Sequence, residues 1–262
     1  MPELTEVEAY RLLAEGALGR PVRRVDVGDR RFVRGTTTPR QLAARLEGSS
    51  LARARRRGKL LVLDVAGDEG TRLGIRFGMT GELRLDGRAG VDRLIYTSHR
   101  DESAWDRFAL EFADGGRLAV RDPRLLGGVE LDPDEDALGP DATVVTPGQL
   151  RRALAGSTVA LKTRLMDQHR LAGVGNLIAD EVLWRTGLAP TRPSGSLTDA
   201  ELRRLHRHLR ATVADLGERG GSHLGELMPE RVPGGHCPRD GAELERRTVG
   251  GRTSWFCPRH QR

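Results

Sequence analysis

Lysine is almost absent from this chain. Of its 43 basic residues in 262, only Lys59 and Lys162 are lysines, and the other 41 are arginines. A chain that has exchanged nearly all its surface lysines keeps one where a compact ammonium, with a pKa that burial can lower, has a task; chance retention on a solvated face is the alternative. Cysteine is as scarce, and two residues exclude a disulfide framework. No run of 18 apolar residues occurs, which excludes a transmembrane helix. The opening MPELTEVEAY has acids where a signal peptide needs a basic start and an apolar stretch, so a cytoplasmic protein is expected. With 37% hydrophobic and 31% charged residues, the chain is too apolar for disorder and too polar for a membrane protein.

What is present is positive charge, a net +6, unevenly placed. Arg53, Arg55, Arg56, Arg57 and Lys59 form one knot. Arg203, Arg204, Arg207 and Arg210 line one predicted helix. The last 32 residues hold seven arginines against three acids. Between them lies an acidic stretch, Glu130, Asp132, Asp134, Glu135 and Asp136, which phosphate would repel. Two polyanion-binding surfaces joined by an acidic connector are the simplest account, with nucleic acid as the partner.

Periodicity separates the chain into halves. Residues 5–18 read as a helix with Thr5 and Glu8 as a capping box. From about 21 to 131 the pattern is short β-type runs, such as 60–63, 83–85, 108–112 and 118–120, divided by glycine turns. After an acidic, proline-bearing segment the period becomes helical, at about 147–155, 159–168, 176–186 and 198–217. The expected class is α+β. An N-terminal β-sandwich with an N-terminal helix spans 1–131, a linker 132–147, a helical domain 148–233 and a hairpin 234–262.

Three groups of residues carry chemistry. Removal of Met1 would make the α-amine that of Pro2, titrating at about 7.7–8.0, so that much of it is a ready nucleophile at neutral pH. Glu3 and Glu6 lie beside it as proton donors; the alternative is an ordinary start with helix-capping acids. In LKTRLMDQHRLAGVGNLIADEVLW (161–184) a tight glycine turn precedes Asn176 at the start of a helix. Such a turn lets backbone N–H groups approach a phosphate, with Lys162 adding a charge; a plain helix connector is the other reading. In the tail, Cys237-x2-Asp240 and Cys257-x2-His260 are separated by 16 residues, the spacing of a zinc ribbon, with His236 as a competitor for Asp240's place. A free-thiol hairpin and a Cys237–Cys257 disulfide are the alternatives.

Taken together, these residues resemble the formamidopyrimidine-DNA glycosylase/endonuclease VIII family of base-excision repair enzymes over nearly the full length. The opening Met1-Pro2-Glu3-Leu4 with Glu6-Val7-Glu8 is similar to that of the formamidopyrimidine branch. Arg57-Gly58-Lys59 resembles the family's lysine loop and Gly78-Met79-Thr80-Gly81 its intercalating segment. Asp122-Pro123-Arg124 resembles its wedge loop, residues 161–181 its helix–two-turn–helix motif, and Gly251-Arg252 up to Cys257 its zinc-finger hairpin.

The resemblance implies a bifunctional glycosylase and AP lyase for oxidised or ring-opened bases in double-stranded DNA. Pro2 would attack C1′ to form a Schiff base, Glu3 would protonate the opening sugar and Glu6 orient it. Lys59 would contact phosphate and assist proton transfer. β,δ-Elimination would then nick the strand. Met79 would fill the gap left by the flipped nucleotide and Arg124 face the estranged base. Lys162, Asn176 and Arg252 would grip phosphates, and Cys237, Asp240, Cys257 and His260 would hold one structural zinc. The protein would act as a monomer at damaged or abasic DNA in the nucleoid, with no membrane partner.

Departures bear on substrate. Thr5 replaces a proline, Arg76-Phe77 stands where His-Leu is common, and Leu125-Leu126 removes the wedge aromatic but leaves an apolar wedge. The segment from Gly220 to Cys237 is shorter than in members that close a loop over 8-oxoguanine, which counts against that lesion. Asp240 and His260 replace two cysteines of the family's finger, leaving either a weaker zinc site or a fold with little metal dependence. The competing functions are an endonuclease VIII-like enzyme for oxidised pyrimidines or bulky adducts, a non-catalytic damage or abasic-site binder, and an unrelated zinc-ribbon adaptor.

Overall fold

The structure, a computed structural model, describes residues 2–67, 70–91, 94 and 102–262; Met1 lies outside the described residues. The chain divides into two compact units, the first formed by residue 2 and residues 6–135 and the second by residues 3–5 and 136–262. Residues 132–135 thus lie with the first unit and 136–147 with the second.

The N-terminal helix α1 (Leu4–Glu15) starts one residue before Thr5. Thr5 therefore sits inside the first turn and does not cap it. The start is set by tertiary bonds: Leu4 N–H donates to Gly173 O at 3.2 Å, while Glu3 is engaged by a distant helix.

The first unit is a β-sandwich. One sheet runs β2 (Leu51–Arg57), β3 (Leu60–Val65), β4 (Arg72–Arg76) and β9 (Gly128–Leu131). The other has the order β1 (Val22–Asp26), β7 (Asp106–Phe112), β8 (Arg117–Arg121), β5 (Glu82–Leu85) and β6 (Arg88–Ala89). All named pairs are antiparallel. Leu61, Leu63 and Ile75 from the first sheet and Leu83, Phe108, Leu110 and Phe112 from the second share one buried core with Val7 and Tyr10 of α1. A helix absent from the sequence reading, α2 (Pro39–Leu46), interrupts the strands. Its signature was legible: Thr38 and Gln41 form a capping box with Pro39 in the first turn.

The second unit is helical: α3 (Pro147–Leu154), α4 (Leu161–Leu165), α5 (Asn176–Thr186) and α6 (Asp199–Arg219). Thr146–Gln149 and Thr198–Glu201 capping boxes open α3 and α6. Helix α4 is shorter than the expected 159–168. Ala160 instead bridges Pro193, and Leu161 N–H donates to Arg192 O, so the approach is extended rather than helical. Leu205, Leu209, Val213 and Leu216 of α6 recur at helical spacing and bury against Ile178, Val182 and Leu183 of α5 in one core. A two-stranded hairpin, β10 (Glu245–Val249) and β11 (Arg252–Phe256), ends the chain over a small core of Trp184, Leu227, Leu244 and Trp255. No helix among the described residues is long and apolar enough to cross a membrane.

Candidate active site and metal centre

In the first unit Pro2 and Glu6 are buried, Glu6 on α1. Lys59, half-buried, occupies the two-residue turn between β2 and β3, where Arg57 pairs with Leu60. Met79 and Arg124, 45 residues apart in sequence, lie on loops organised by one carboxylate. Asp122 is fully buried; its Oδ1 accepts from Thr80 Oγ1 at 2.5 Å and from Arg124 N–H at 3.2 Å, and its Oδ2 from the N–H groups of Leu126 and Gly127, both at 2.8 Å. Arg34 and Arg107 donate to the carbonyls of Leu125, Gly127, Asp122 and Pro123, bracing the same loop. The result presents Arg124 exposed and Leu126 at 46% exposure, an apolar tip held out by a rigid base. Sequence reasoning missed Asp122's role, although an Asp-Pro turn opener was visible.

In the second unit Glu3 caps α5. Its carboxylate, with no exposed surface, accepts from Gly175 N–H at 2.8 Å, Leu177 N–H at 2.7 Å and Ile178 N–H at 3.2 Å. Otherwise orphaned N–H groups and the helix dipole favour a negative group there. Gly175 leaves no room for a side chain, since a β-carbon would stand 2.3 Å from Glu3 Cδ. Asn176 follows in the first turn of α5, its side-chain Oδ1 without a partner among the described residues.

Lys162 departs from its expected place. Its side chain has no exposed surface, and its ammonium donates to Thr253 O at 2.9 Å and Ser254 Oγ at 2.7 Å while pairing with Asp180 Oδ1 at 2.7 Å. Two hydrogen bonds and an ion pair engage the ammonium. It therefore ties α4 to α5 and to β11 and is not placed to grip a surface phosphate. Asp180 Oδ2 also pairs with Arg231 at 2.9 Å. Burial pushes the Lys162 pKa down and the Asp180 pKa up, each opposed by the other's charge. Arg252, exposed, stands at the hairpin tip, where Gly250 (φ +56°) and Gly251 (φ +72°) make the two-residue turn between Val249 and Arg252. Both positions need positive φ, which glycine supplies without strain. Arg203, Arg204, Arg207 and Arg210 form an exposed basic face on α6.

The segment after α6 is pinned. Glu181, buried on α5, accepts from the N–H groups of Glu226 at 3.1 Å and Leu227 at 3.0 Å.

Cys237, Asp240, Cys257 and His260 bring one ligand atom each to within 4.8 Å of one another. Cys257 Sγ lies 3.4 Å from Asp240 Oδ1, Cys237 Sγ 3.7 Å from His260 Nδ1, and His260 Nδ1 3.1 Å from Asp240 Oδ2. A tetrahedral zinc with bonds of about 2.0–2.3 Å needs ligand separations of roughly 3.3–3.8 Å, so the set fits one metal ion with small adjustment. His260 Nε2 contacts Trp184 O at 3.2 Å; a carbonyl only accepts, so Nε2 carries the proton and Nδ1 faces the cluster. Trp184 Nε1 donates to Cys237 Sγ at 3.3 Å, an outer contact the sequence did not disclose. His236 stays outside this set, and the two cysteines are free thiols.

Residues 1–129 match the formamidopyrimidine-DNA glycosylase N-terminal domain, and residues 137–225 match the formamidopyrimidine-DNA glycosylase H2TH domain. The chain is 37% identical to the formamidopyrimidine-DNA glycosylase of Thermus thermophilus, covering 98% of this chain and 97% of that protein. It is 34% identical to that of Burkholderia vietnamiensis, over the whole of both. The Lactococcus lactis Fpg, solved in complex with abasic site-containing DNA, superposes with a TM-score of 0.83 at 28% identity and covers 100% of each chain. The same protein solved with Fapy-dG-containing DNA covers 99% of this chain, again with a TM-score of 0.83 and 28% identity. The sandwich, the helical unit and the Cys/His-bearing hairpin are those of a DNA-repair glycosylase. The chain belongs to the formamidopyrimidine-DNA glycosylase family.

Proposed function

We propose that this protein is a bifunctional glycosylase and AP lyase that removes ring-opened and oxidised bases from duplex DNA, acting at the nucleoid in the cytoplasm. The observation that carries the reading is Glu3. The carboxylate next in sequence to the N-terminal amine is pinned, buried, by three N–H groups of α5 and the turn before it. A carboxylate fixed so firmly next in sequence to a nucleophile is positioned for proton transfer as well as capping α5.

With Met1 removed, the Pro2 nitrogen attacks C1′ and the base leaves with the glycosidic electron pair. Glu3, a carboxylate in the free protein, takes the proton that the attacking amine loses and delivers it to O4′ as the sugar ring opens, leaving an iminium on Pro2. Loss of the C2′ proton expels the 3′ phosphate, and a second elimination expels the 5′ phosphate. Glu6 orients the sugar, and Lys59 contacts phosphate and assists proton transfer. Met79 fills the vacated stack, with Leu125-Leu126 as wedge and Arg124 facing the orphaned base. Asn176 and Arg252 hold the strand by its phosphates. Zinc at Cys237, Asp240, Cys257 and His260 would fix the hairpin that carries Arg252.

The test uses protein whose zinc content has been measured, with about one ion per chain expected. It is offered duplexes bearing Fapy-dG, 8-oxoguanine, an oxidised pyrimidine or an abasic site. Nicking of the Fapy-dG and abasic duplexes, with phosphate on both ends of a one-nucleoside gap, supports the proposal. The 8-oxoguanine duplex should be cut more slowly, as expected from the shortened Gly220–Cys237 segment, which is held by Glu181. Cutting confined to the pyrimidine lesion would transfer the assignment to an endonuclease VIII-like activity.

A further inference from the structure

An open pocket of about 470 Å³ lies between α4 and the hairpin turn. It is flanked by Thr163 and Arg164 on the helix side and by Gly250 and Arg252 on the hairpin side. Thr163 leans on the turn, since a β-carbon at Gly250 would stand 2.3 Å from its Oγ1. The Arg164 side chain is 18% exposed, and its donors are incompletely used. One terminal nitrogen donates to Ser157 Oγ at 2.6 Å, and the other stands 3.6 Å from Asp167 Oδ2, beyond a good hydrogen bond. Its Nε is buried with no partner among the described residues. Nor do the Arg252 guanidinium and the Thr163 hydroxyl have a hydrogen-bond partner among the described residues.

Two guanidinium groups against the one carboxylate of Asp167 leave the pocket cationic, with unsatisfied donors that suit a tetrahedral oxyanion. Val159, 42% exposed, and Met166 add an apolar flank. Cationic donors beside an apolar wall match a phosphodiester with its deoxyribose better than a free inorganic ion. A buried guanidinium nitrogen left unpaired is costly in the free protein and is relieved by such a ligand.

We propose that Thr163 and Arg164 form a second phosphodiester seat, taking the backbone phosphate next along the strand to the one held by Arg252. This rests on the DNA-binding reading above and deepens it, moving the cationic contact of this helix from Lys162, which is enclosed, to its neighbour but one.

The test is the salt dependence of binding to an abasic-site duplex. Arg164→Gln should weaken binding about tenfold at low salt and lower the slope of log K against log salt by about one, the signature of one lost phosphate contact. Arg164→Lys should keep most of that slope. Because Arg164→Gln also loses the Ser157 bond, wild-type protein is titrated in parallel with duplexes carrying a neutral methylphosphonate at successive positions. Two adjacent positions should weaken wild-type binding, and only one of them should cost nothing further in Arg164→Gln. A slope unchanged in Arg164→Gln, or a single sensitive position, overturns the seat while leaving the DNA-binding reading standing. Wild-type protein that binds no abasic duplex overturns that reading and the seat with it.

Discussion

Asp180→Leu is expected to destabilise the helical unit by about 3–5 kcal/mol, a large share of the roughly 5–15 kcal/mol that holds a domain folded. Asp180 has 1% of its side chain exposed and is the carboxylate with which both Lys162 and Arg231 pair; those two have 0% and 6% of their side chains exposed. Removing it leaves two buried cations without the carboxylate with which both pair. The hydrogen bonds from Lys162 to Thr253 and Ser254 cannot replace it, because neutral acceptors leave most of the Coulomb and desolvation balance unmet. Asp180→Leu combined with Lys162→Met should recover much of the loss, since apolar groups of similar size replace the principal pair. Urea unfolding followed by the fluorescence of Trp184 and Trp255 measures both. A single variant within about 1 kcal/mol of the parent would show that the pair contributes little.

Glu3→Gln is expected to lower single-turnover strand cleavage by about 10²- to 10⁴-fold, the usual range for loss of a positioned acid–base group. The amide keeps the shape of the side chain but not its chemistry. One end still accepts, from Leu177 N–H, while the NH₂ end faces the N–H groups of Gly175 and Ile178, donor against donor. Some stability is lost as well, about 1–2 kcal/mol for a damaged helix cap. Rates are therefore compared at a temperature where both proteins are folded and with enzyme in excess over DNA. A rate within tenfold of the parent would reduce Glu3 to a structural cap of α5.

Local signals were legible where the physics is local. The helices expected from periodicity at 147–155 and 198–217 are present, opened by Thr146–Gln149 and Thr198–Glu201 capping boxes, and the two half-sites Cys237/Asp240 and Cys257/His260 announced a metal cluster because ligand spacing is set by the turn that holds it. The same capping signature at Thr38–Gln41 was passed over within a strand-rich stretch. What was not legible depends on distant partners. Glu3 was legible as a proton donor next to Pro2, but its pinning by α5 was not, because the N–H groups that hold it lie 172–175 residues away. Lys162 looked like a surface cation in a turn motif. Its enclosure requires Asp180 on the next helix and a hairpin strand 91–92 residues on, and no local pattern encodes either. Asp122 likewise organises the Met79 and Arg124 loops only once β5 and β8 are paired.

The central claim is that the Pro2 nitrogen becomes covalently bound to the sugar. The most direct test is borohydride trapping on a duplex with one abasic site, using protein whose N-terminus has been shown by mass spectrometry to begin at Pro2. Pro2→Gly is run alongside, and the adduct is mapped to its peptide. An irreversible protein–DNA adduct on the N-terminal peptide, sharply reduced in Pro2→Gly, is the predicted result. Tight binding of the abasic duplex with no adduct, from protein bearing a free Pro2 amine, would contradict the account and make this chain a damage binder that does not cut.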